Sequence, residues 1–453
     1  MSFGTISHIM PYLAPLQILA ERGNRITFLA PQEYLQHINE YPGIQKRQIG
    51  SGSKQWDKNY VQDFKTIKAF DEKQNVDLFI CDFMTPACLD YAHFHKKRFV
   101  FLGPLGYYGV GKQWYIPPYE SPFTQDQIVS SFYFRIYKWF AELPTVGQYM
   151  ESITQYEAYM KTKKELGLDS SIPKDFIQQH LFISHSVFGF HKARELPTNV
   201  MVVGPVLPSR IDPLEPELLD KLYKMEMKGM SVIYISYGSV LDITHYVGMK
   251  IFDSVAQLLN ENPKLAVIIA LGGTDPRSYN IPDRLLDRIL IERWVNQRAL
   301  LMNPVVKLFI NHGGLSSIME SMYAGKPLII TPISADQFEN AKKVVESDIG
   351  IAYSFERFNQ QNFTGSVKQM LADFNKESRL SIGVSKLMKI ARLNSETHFL
   401  QLVNTFEMAA TVGYDHLVPV VAKMTWWEIY GELCVVLSSV ALDIISITLY
   451  FRK

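Results

Sequence analysis

The sequence predicts two doubly wound α/β domains followed by a helix suited to a membrane. Three observations predict it. Apolar runs of strand length alternate with helix-sized segments over residues 1–204, and the alternation starts afresh after residue 215. A stretch with Gly204, Pro205 and Pro208 separates the two series, giving a linker over 205–215. The last segment, 423–453, contains a long apolar run. Alternating strands and helices build parallel sheets covered on both faces.

In chain order, Leu13, Leu16 and Leu19 follow His8 at helical spacing, and Gly23 suits the end of that helix. Arg25–Ala30 reads as a strand, as do Val76–Phe83 and Arg98–Leu102. The stretch from about 106 to 175 is aromatic and weakly patterned, and reads as helices and long loops. Phe182–Ser184 and Val200–Val203 complete the first domain. In the second domain, expected over 216–422, the strands are Val232–Ser236, Leu265–Leu271, Leu308–Ile310, Leu328–Ile330 and Ile351–Ser354. Two such domains facing each other form a cleft at the carboxyl ends of their strands.

Residues Leu433–Phe451 form a 19-residue run with a single charge, Asp443. That length approaches a bilayer span. Trp426, Trp427 and Tyr430 precede it, and Tyr450, Phe451, Arg452 and Lys453 close it, as aromatic belts and flanking cations do at interfaces. Asp443 costs roughly 2.5–3.5 kcal/mol, which the apolar remainder can outweigh. The competing reading is an amphipathic helix that closes the last domain.

Lys and Arg number 46 against 45 Asp and Glu, so no basic surface for nucleic acid is expected. Hydrophobic residues make up 47% of the chain, which excludes a largely disordered protein. The three cysteines, Cys81, Cys88 and Cys434, predict neither a disulfide framework nor a zinc site.

The chemistry concentrates between Trp294 and Ala341. A strand runs into Asn311-His312-Gly313-Gly314, and a helix begins near Ser316. Glycines there let a ligand approach the backbone, and a helix start favours phosphate. His312 can add a donor and Ser317 a hydroxyl, while Glu320 could accept from ribose hydroxyls. Taken singly, each has a plain reading: His312 bonded into a turn, Trp294 in a core, Asp336 capping a helix, Glu320 on a solvated face.

The spacing as a whole resembles the signature of family 1 UDP-sugar glycosyltransferases, which include the UDP-glucuronosyltransferases. The matching positions are Trp294, Gln297, Leu300, Leu301, Pro304, His312, Gly314, Ser317, Glu320, Gly325, Pro327, Pro332, Asp336, Gln337, Asn340 and Ala341. Asn296 stands where that family usually has proline, which should loosen a turn. The resemblance implies a GT-B fold of two facing Rossmann-like domains. It implies that Trp294 stacks on uracil, that Gln297 and Glu320 hold the ribose, and that His312, Gly314 and Ser317 bind the diphosphate. Asp336 and Gln337 would hold the donor sugar, with Ser239 near the phosphates.

The first half resembles the family more diffusely. Gly4–His8, Pro11, Leu16, Leu19, Arg22-Gly23 and Ile26-Thr27 match its opening motif, and Asp77–Asp82 matches the strand ending in its acid. This implies His8 as general base and Asp82 as the carboxylate that orients it. The family begins with a strand before this loop and, where a C-terminal span exists, with a secretory signal; neither is found before His8. The expectation is an incomplete product or gene model.

The implied reaction is inverting transfer of a hexosyl or glucuronosyl group from a UDP-sugar to a hydroxyl of a small lipophilic acceptor. It needs no metal and no further cofactor. The expected location is the endoplasmic reticulum membrane, through a single-pass C-terminal anchor. The Asn362-Phe-Thr364 sequon is weak support for a lumenal side. The alternatives are a catalytically impaired UDP-sugar-binding or interaction protein with an incomplete first domain, and an epimerase or hydrolase of the same fold.

Overall fold

The computed structural model describes residues 6–50, 56–82, 85–103, 159–168, 179–193, 195–207, 211–238, 245–270, 287–333, 336–354 and 358–425, with isolated residues between and beyond. The aromatic stretch from about 106 to 175 lies largely outside them, as does Ser239.

Strands β1 (Ile26–Ala30) and β2 (Ile44–Gln48) pair in parallel. Strands β3 (Phe79–Asp82), β4 (Phe99–Gly103), β5 (Leu181–His185) and β6 (Val200–Val203) form a second parallel sheet in that order. The strand pattern predicts one sheet here. Among the described residues there are two, one of β1 and β2 and one of β3 to β6. The two sheets nonetheless share their cores. Phe28 and Ala30 of β1 pack with Val100, Leu102 and Ile183 on one face, and Leu29 packs with Phe79, Cys81 and Phe101 on the other.

Helix α1 (Ile6–Glu21) covers the first face with Tyr12, Leu13, Leu16 and Leu19. Helices α3 (Trp56–Gln74) and α4 (Pro86–Phe94) cover the second with Tyr60, Phe64, Ile67 and Tyr91. Burial of both faces explains why β4 and β5 are buried at every position. Contrary to the sequence reading, Cys81 and Cys88 form a disulfide. The strand–turn–helix reversal brings two residues seven apart to a Cα separation of 5.8 Å, within bonding range. Cys434 is free.

The second domain is a six-stranded parallel sheet in the order β12-β11-β10-β7-β8-β9. Its strands are β7 (Ser231–Ser236), β8 (Leu265–Ala270), β9 (Ile289–Glu292), β10 (Val306–Asn311), β11 (Leu328–Ile330) and β12 (Gly350–Ala352). Alternate residues of β7 serve opposite cores: Val232 and Tyr234 one, Ile233 and Ile235 the other. From β7 the chain winds outward through β8 and β9, then returns to β10 and winds the other way. The reversal sets the ends of β7 and β10 side by side, where doubly wound sheets open a ligand crevice.

Helix α11 (Arg379–Thr411) is the longest element among the described residues, at 33 residues. Ser378 caps it through the Ser381 backbone, and the Ser381 hydroxyl answers the Ser378 N–H. Val384, Leu387 and Ala391 pack in the second-domain core, whereas Leu402, Val403, Phe406 and Ala409 pack in the first. Helix α11 therefore packs into the cores of both domains.

Among the described residues no helix is long and apolar enough to cross a membrane. The C-terminal run is described only in part; Val435, Val440, Leu442 and Ile444 are exposed.

Candidate active site

Two half-sites stand at the strand ends of the two domains. In the second, β10 delivers Asn311, His312 and Gly313 to the start of helix α8 (Leu315–Ala324). Asn311 Oδ1 accepts the Gly313 N–H at 2.7 Å and closes the turn. Gly313 has φ +92°, and a Cβ there would lie 2.8 Å from Ile330 Cγ2. A Cβ at Gly314 would lie 2.6 Å from His312 Nε2. Glycine is therefore required at both, and the bare backbone leads into the positive end of α8. Burial lowers the His312 pKa to about 4, so the ring is neutral, and its Nδ1 is buried without a hydrogen-bond partner.

Gln297 opens helix α7 (Gln297–Met302) and reaches α8. Its Nε2 donates to Glu320 Oε2 at 2.8 Å and to Ser317 Oγ at 3.1 Å, while its Oε1 accepts from the Tyr234 hydroxyl at 3.4 Å. These residues are 20 and 23 positions apart in the chain, and the fold makes them one cluster. Burial pushes the Glu320 carboxyl above its ordinary range, opposed by the Gln297 hydrogen bond and the Arg298 charge. Trp294 precedes the cluster and is 65% exposed, with a large aromatic surface left uncovered. Asn296 does not loosen the turn. Its Oδ1 caps α7 through the Ala299 N–H, and its Nδ2 donates to the Asp212 carbonyl of the linker at 2.7 Å. A cap replaces the rigidity of proline.

Asp336 and Gln337 start helix α9 (Gln337–Glu346), and both are buried. Asn340, one turn on, donates to Asp336 Oδ2 at 2.7 Å and to the Gly313 carbonyl at 3.0 Å, locking the start of α9 to the turn after β10. Burial raises the Asp336 pKa, offset by Asn340 and by the His8 imidazole from the other domain.

In the first half-site, α1 presents His8 and β3 ends in Asp82. His8 Nδ1 lies 3.2 Å from Asp82 Oδ2, with His8 5% exposed and Asp82 fully buried. The Asp82 carbonyl accepts both the N–H and the hydroxyl of Thr85, at 2.9 and 2.6 Å, which pins the turn. Histidine oriented at one nitrogen by a carboxylate is a competent proton acceptor at the other.

Of the residues singled out in the sequence, the structure thus brings together His8 with Asp82, Gln297 with Ser317 and Glu320, His312 with Gly314, and Asp336 with Gln337. Arg298 and the anchoring role of Asn340 were not foreseen. Asn340 stands four residues after Asp336, a spacing that places both on one helix face.

These features can be set beside known proteins. A match to the family described as UDP-glucoronosyl and UDP-glucosyl transferase spans residues 146–449. A UDP-glycosyltransferase of Talaromyces amestolkiae is 26% identical over 363 residues, covering 75% of this chain and 67% of that protein. UDP-glucuronosyltransferase 3A2 of Mus musculus is 23% identical over 373 residues, covering 81% and 68%. Among solved structures, the glycotransferase of kitacinnamycin has a TM-score of 0.67 at 16% identity, covering 88% of this chain and 94% of that one. Os79 from O. sativa, solved with U2F and trichothecene, has a TM-score of 0.63 at 14% identity, covering 89% and 98%. The architecture is therefore GT-B, and the chain belongs to the UDP-glucuronosyl and UDP-glucosyl transferase family and is a UDP-dependent glycosyltransferase.

Proposed function

We propose that the chain transfers a hexosyl or glucuronosyl group from a UDP-sugar to a hydroxyl of a small lipophilic acceptor, with inversion. The observation that carries this reading is the buried His8–Asp82 pair, with His8 Nδ1 3.2 Å from the Asp82 carboxylate. In the step we envisage, His8 Nε2 takes the acceptor proton as the acceptor oxygen bonds to the anomeric carbon. The bond from that carbon to the diphosphate breaks, and UDP leaves with the electron pair. Asp82 stabilises the imidazolium. The start of α8, with Gly314 and Ser317, receives the diphosphate charge, and His312 shapes the turn. Trp294 stacks on uracil, Gln297 and Glu320 hold the ribose, and Asp336 and Gln337 hold the sugar, with Ser239 beside the phosphates. No metal enters this scheme, since backbone N–H groups and a helix dipole serve the leaving group.

The same reading places residues 423–453 in a membrane, in the endoplasmic reticulum, as a single-pass anchor. Its support is the apolar run itself and the exposure of Val435, Val440, Leu442 and Ile444. Nucleic acid is no partner in this scheme, given the balanced charge. A second reading, a UDP-sugar-binding protein with an impaired first domain, draws on the division of the first-domain strands into two sheets.

The test is UDP release from UDP-glucose and UDP-glucuronate against a panel of phenols and sterols, with His8→Ala alongside. Release that depends on acceptor and collapses in the variant supports the transferase. Donor binding without turnover under every pairing would overturn it in favour of the second reading.

A further inference from the structure

Asp82 stands at an exposed point of the architecture, although its side chain is buried. Among the described residues β3 is the edge of its sheet, paired with β4, and Asp82 is its last residue, level with Leu102. An edge strand is held by a ladder on one side, and strand ends are where local opening begins. Side chains alternate across β3. Phe79 and Cys81 pack on the side of α3 and α4, whereas Ile80 packs on the side of α1, where Asp82 meets His8 at 3.2 Å.

The strand end is closed into a ring from the face opposite His8. The Asp82 carbonyl accepts the N–H and the hydroxyl of Thr85, and the Thr85 carbonyl accepts the Cys88 N–H at 3.0 Å. Cys88, in the first turn of α4, is bonded back to Cys81, the residue before Asp82. Both cysteines lie in the core. Helix α4 is itself anchored. Its Asp90 accepts the Tyr60 hydroxyl of α3 and pairs with Lys163 at 2.9 Å, with Asp90 and Lys163 both fully buried. The disulfide therefore ties the free side of β3 to a fixed platform.

We propose that the Cys81–Cys88 disulfide is a positioning element for the proton-accepting pair: it fixes the strand end that carries Asp82, and so holds the carboxylate against the His8 ring. The inference rests on the roles given to His8 and Asp82 above. It adds two residues that pack on the opposite face of the strand and act through Asp82.

The test is steady-state UDP release, with UDP-glucose or UDP-glucuronate and the phenol or sterol that gives turnover. The variants are Cys81→Ala/Cys88→Ala, Asp82→Ala and the combination of all three. A second pair, Cys81→Val/Cys88→Ala, refills part of the space the sulfurs leave. Loss of the bond is expected to lower kcat about 10- to 100-fold, the cost of a carboxylate displaced by about an ångström, with KM for the UDP-sugar unchanged. In the Asp82→Ala background the same loss is expected to shrink to within about twofold, because nothing remains to be positioned. Wild-type kcat in both disulfide-free pairs would overturn the inference alone. So would an equal loss with and without Asp82, or a chain that fails to fold in both pairs, since either makes the bond purely structural. Full activity of Asp82→Ala, or no turnover by the wild type with any pairing, would overturn the reading of the pair itself, and the inference with it.

Discussion

Asp82→Asn is the sharpest probe of the first half-site, because it removes a charge and keeps the shape. The carboxylate lies 3.2 Å from the His8 ring, and both groups are buried. Once His8 carries the acceptor proton, the pair becomes a charge pair. At an effective dielectric near 20, Coulomb's law gives about 5 kcal/mol at that distance. At about 1.4 kcal/mol per tenfold in rate, this sets a ceiling just under four decades. Solvent reorganisation takes part of it, so the expected loss in kcat is about 10²- to 10⁴-fold, the range ordinary for a positioned base. KM for the UDP-sugar is expected to hold, since the proposed donor contacts all lie in the second domain. The assay is steady-state UDP release on variants whose thermal unfolding matches the wild type. The double variant with His8→Ala decides the mechanism. If Asp82 works through His8, removing it costs little once His8 is gone. A full additional loss in the His8→Ala background would refute the pairing.

Other consequences are open to direct measurement. Trp294→Ala is expected to weaken UDP binding by roughly 5- to 150-fold, the equivalent of about 1–3 kcal/mol of stacking, and calorimetry would show it. Thiol titration of the unfolded, unreduced chain is expected to find Cys434 alone, with Cys81 and Cys88 appearing only after reduction. Cys88→Ser is expected to lower stability by about 2 kcal/mol in urea, given the short loop closed. Lys326 is buried with its pKa pushed down to about 8. The unfolded chain thus holds that proton more tightly than the folded one, and stability rises as pH climbs from about 8 toward the ordinary lysine value. Urea unfolding is expected to show a gain of about 2 kcal/mol between pH 7 and 9.5 from this group, flattened in Lys326→Met.

Much of the second domain is legible in the sequence because its strands are buried on both faces. Uninterrupted runs such as Val232–Ser236 and Leu265–Ala270 read the same in either setting. The edge strands were harder. β2 reads Ile-Gln-Lys-Arg-Gln, exposed after its first residue, and has no apolar signature; β9 is four residues long. The site residues were legible as a spaced pattern, but their mutual support was not. Gln297 meets Glu320 across 23 positions because the sheet sets α7 beside α8, a fact of topology with no local trace. The Cys81–Cys88 bond was missed for a related reason, since only the tight reversal after β3 brings the two together. The capping by Asn296 was open to inference, because asparagine before a helix start is a strong capping residue.

The long helix α11 has a mechanical consequence. The backbone passes between the domains twice, once through the linker after Val203 and once inside α11. The two passages touch where Gly204 meets the His398 ring at 2.9 Å. A body tethered at one point can swing in any direction, whereas one joined along two adjacent strands of chain behaves like a hinged door. A helix of 33 residues, about 50 Å long, resists stretching and twisting far more than gentle bending. Opening of the cleft is therefore expected to follow one rotation about the Gly204–His398 crossing. In the proposed mechanism each closure would return His8 to the same place relative to Asp336, so the alignment of the proposed base and donor sugar would follow from the stiffness of a single helix.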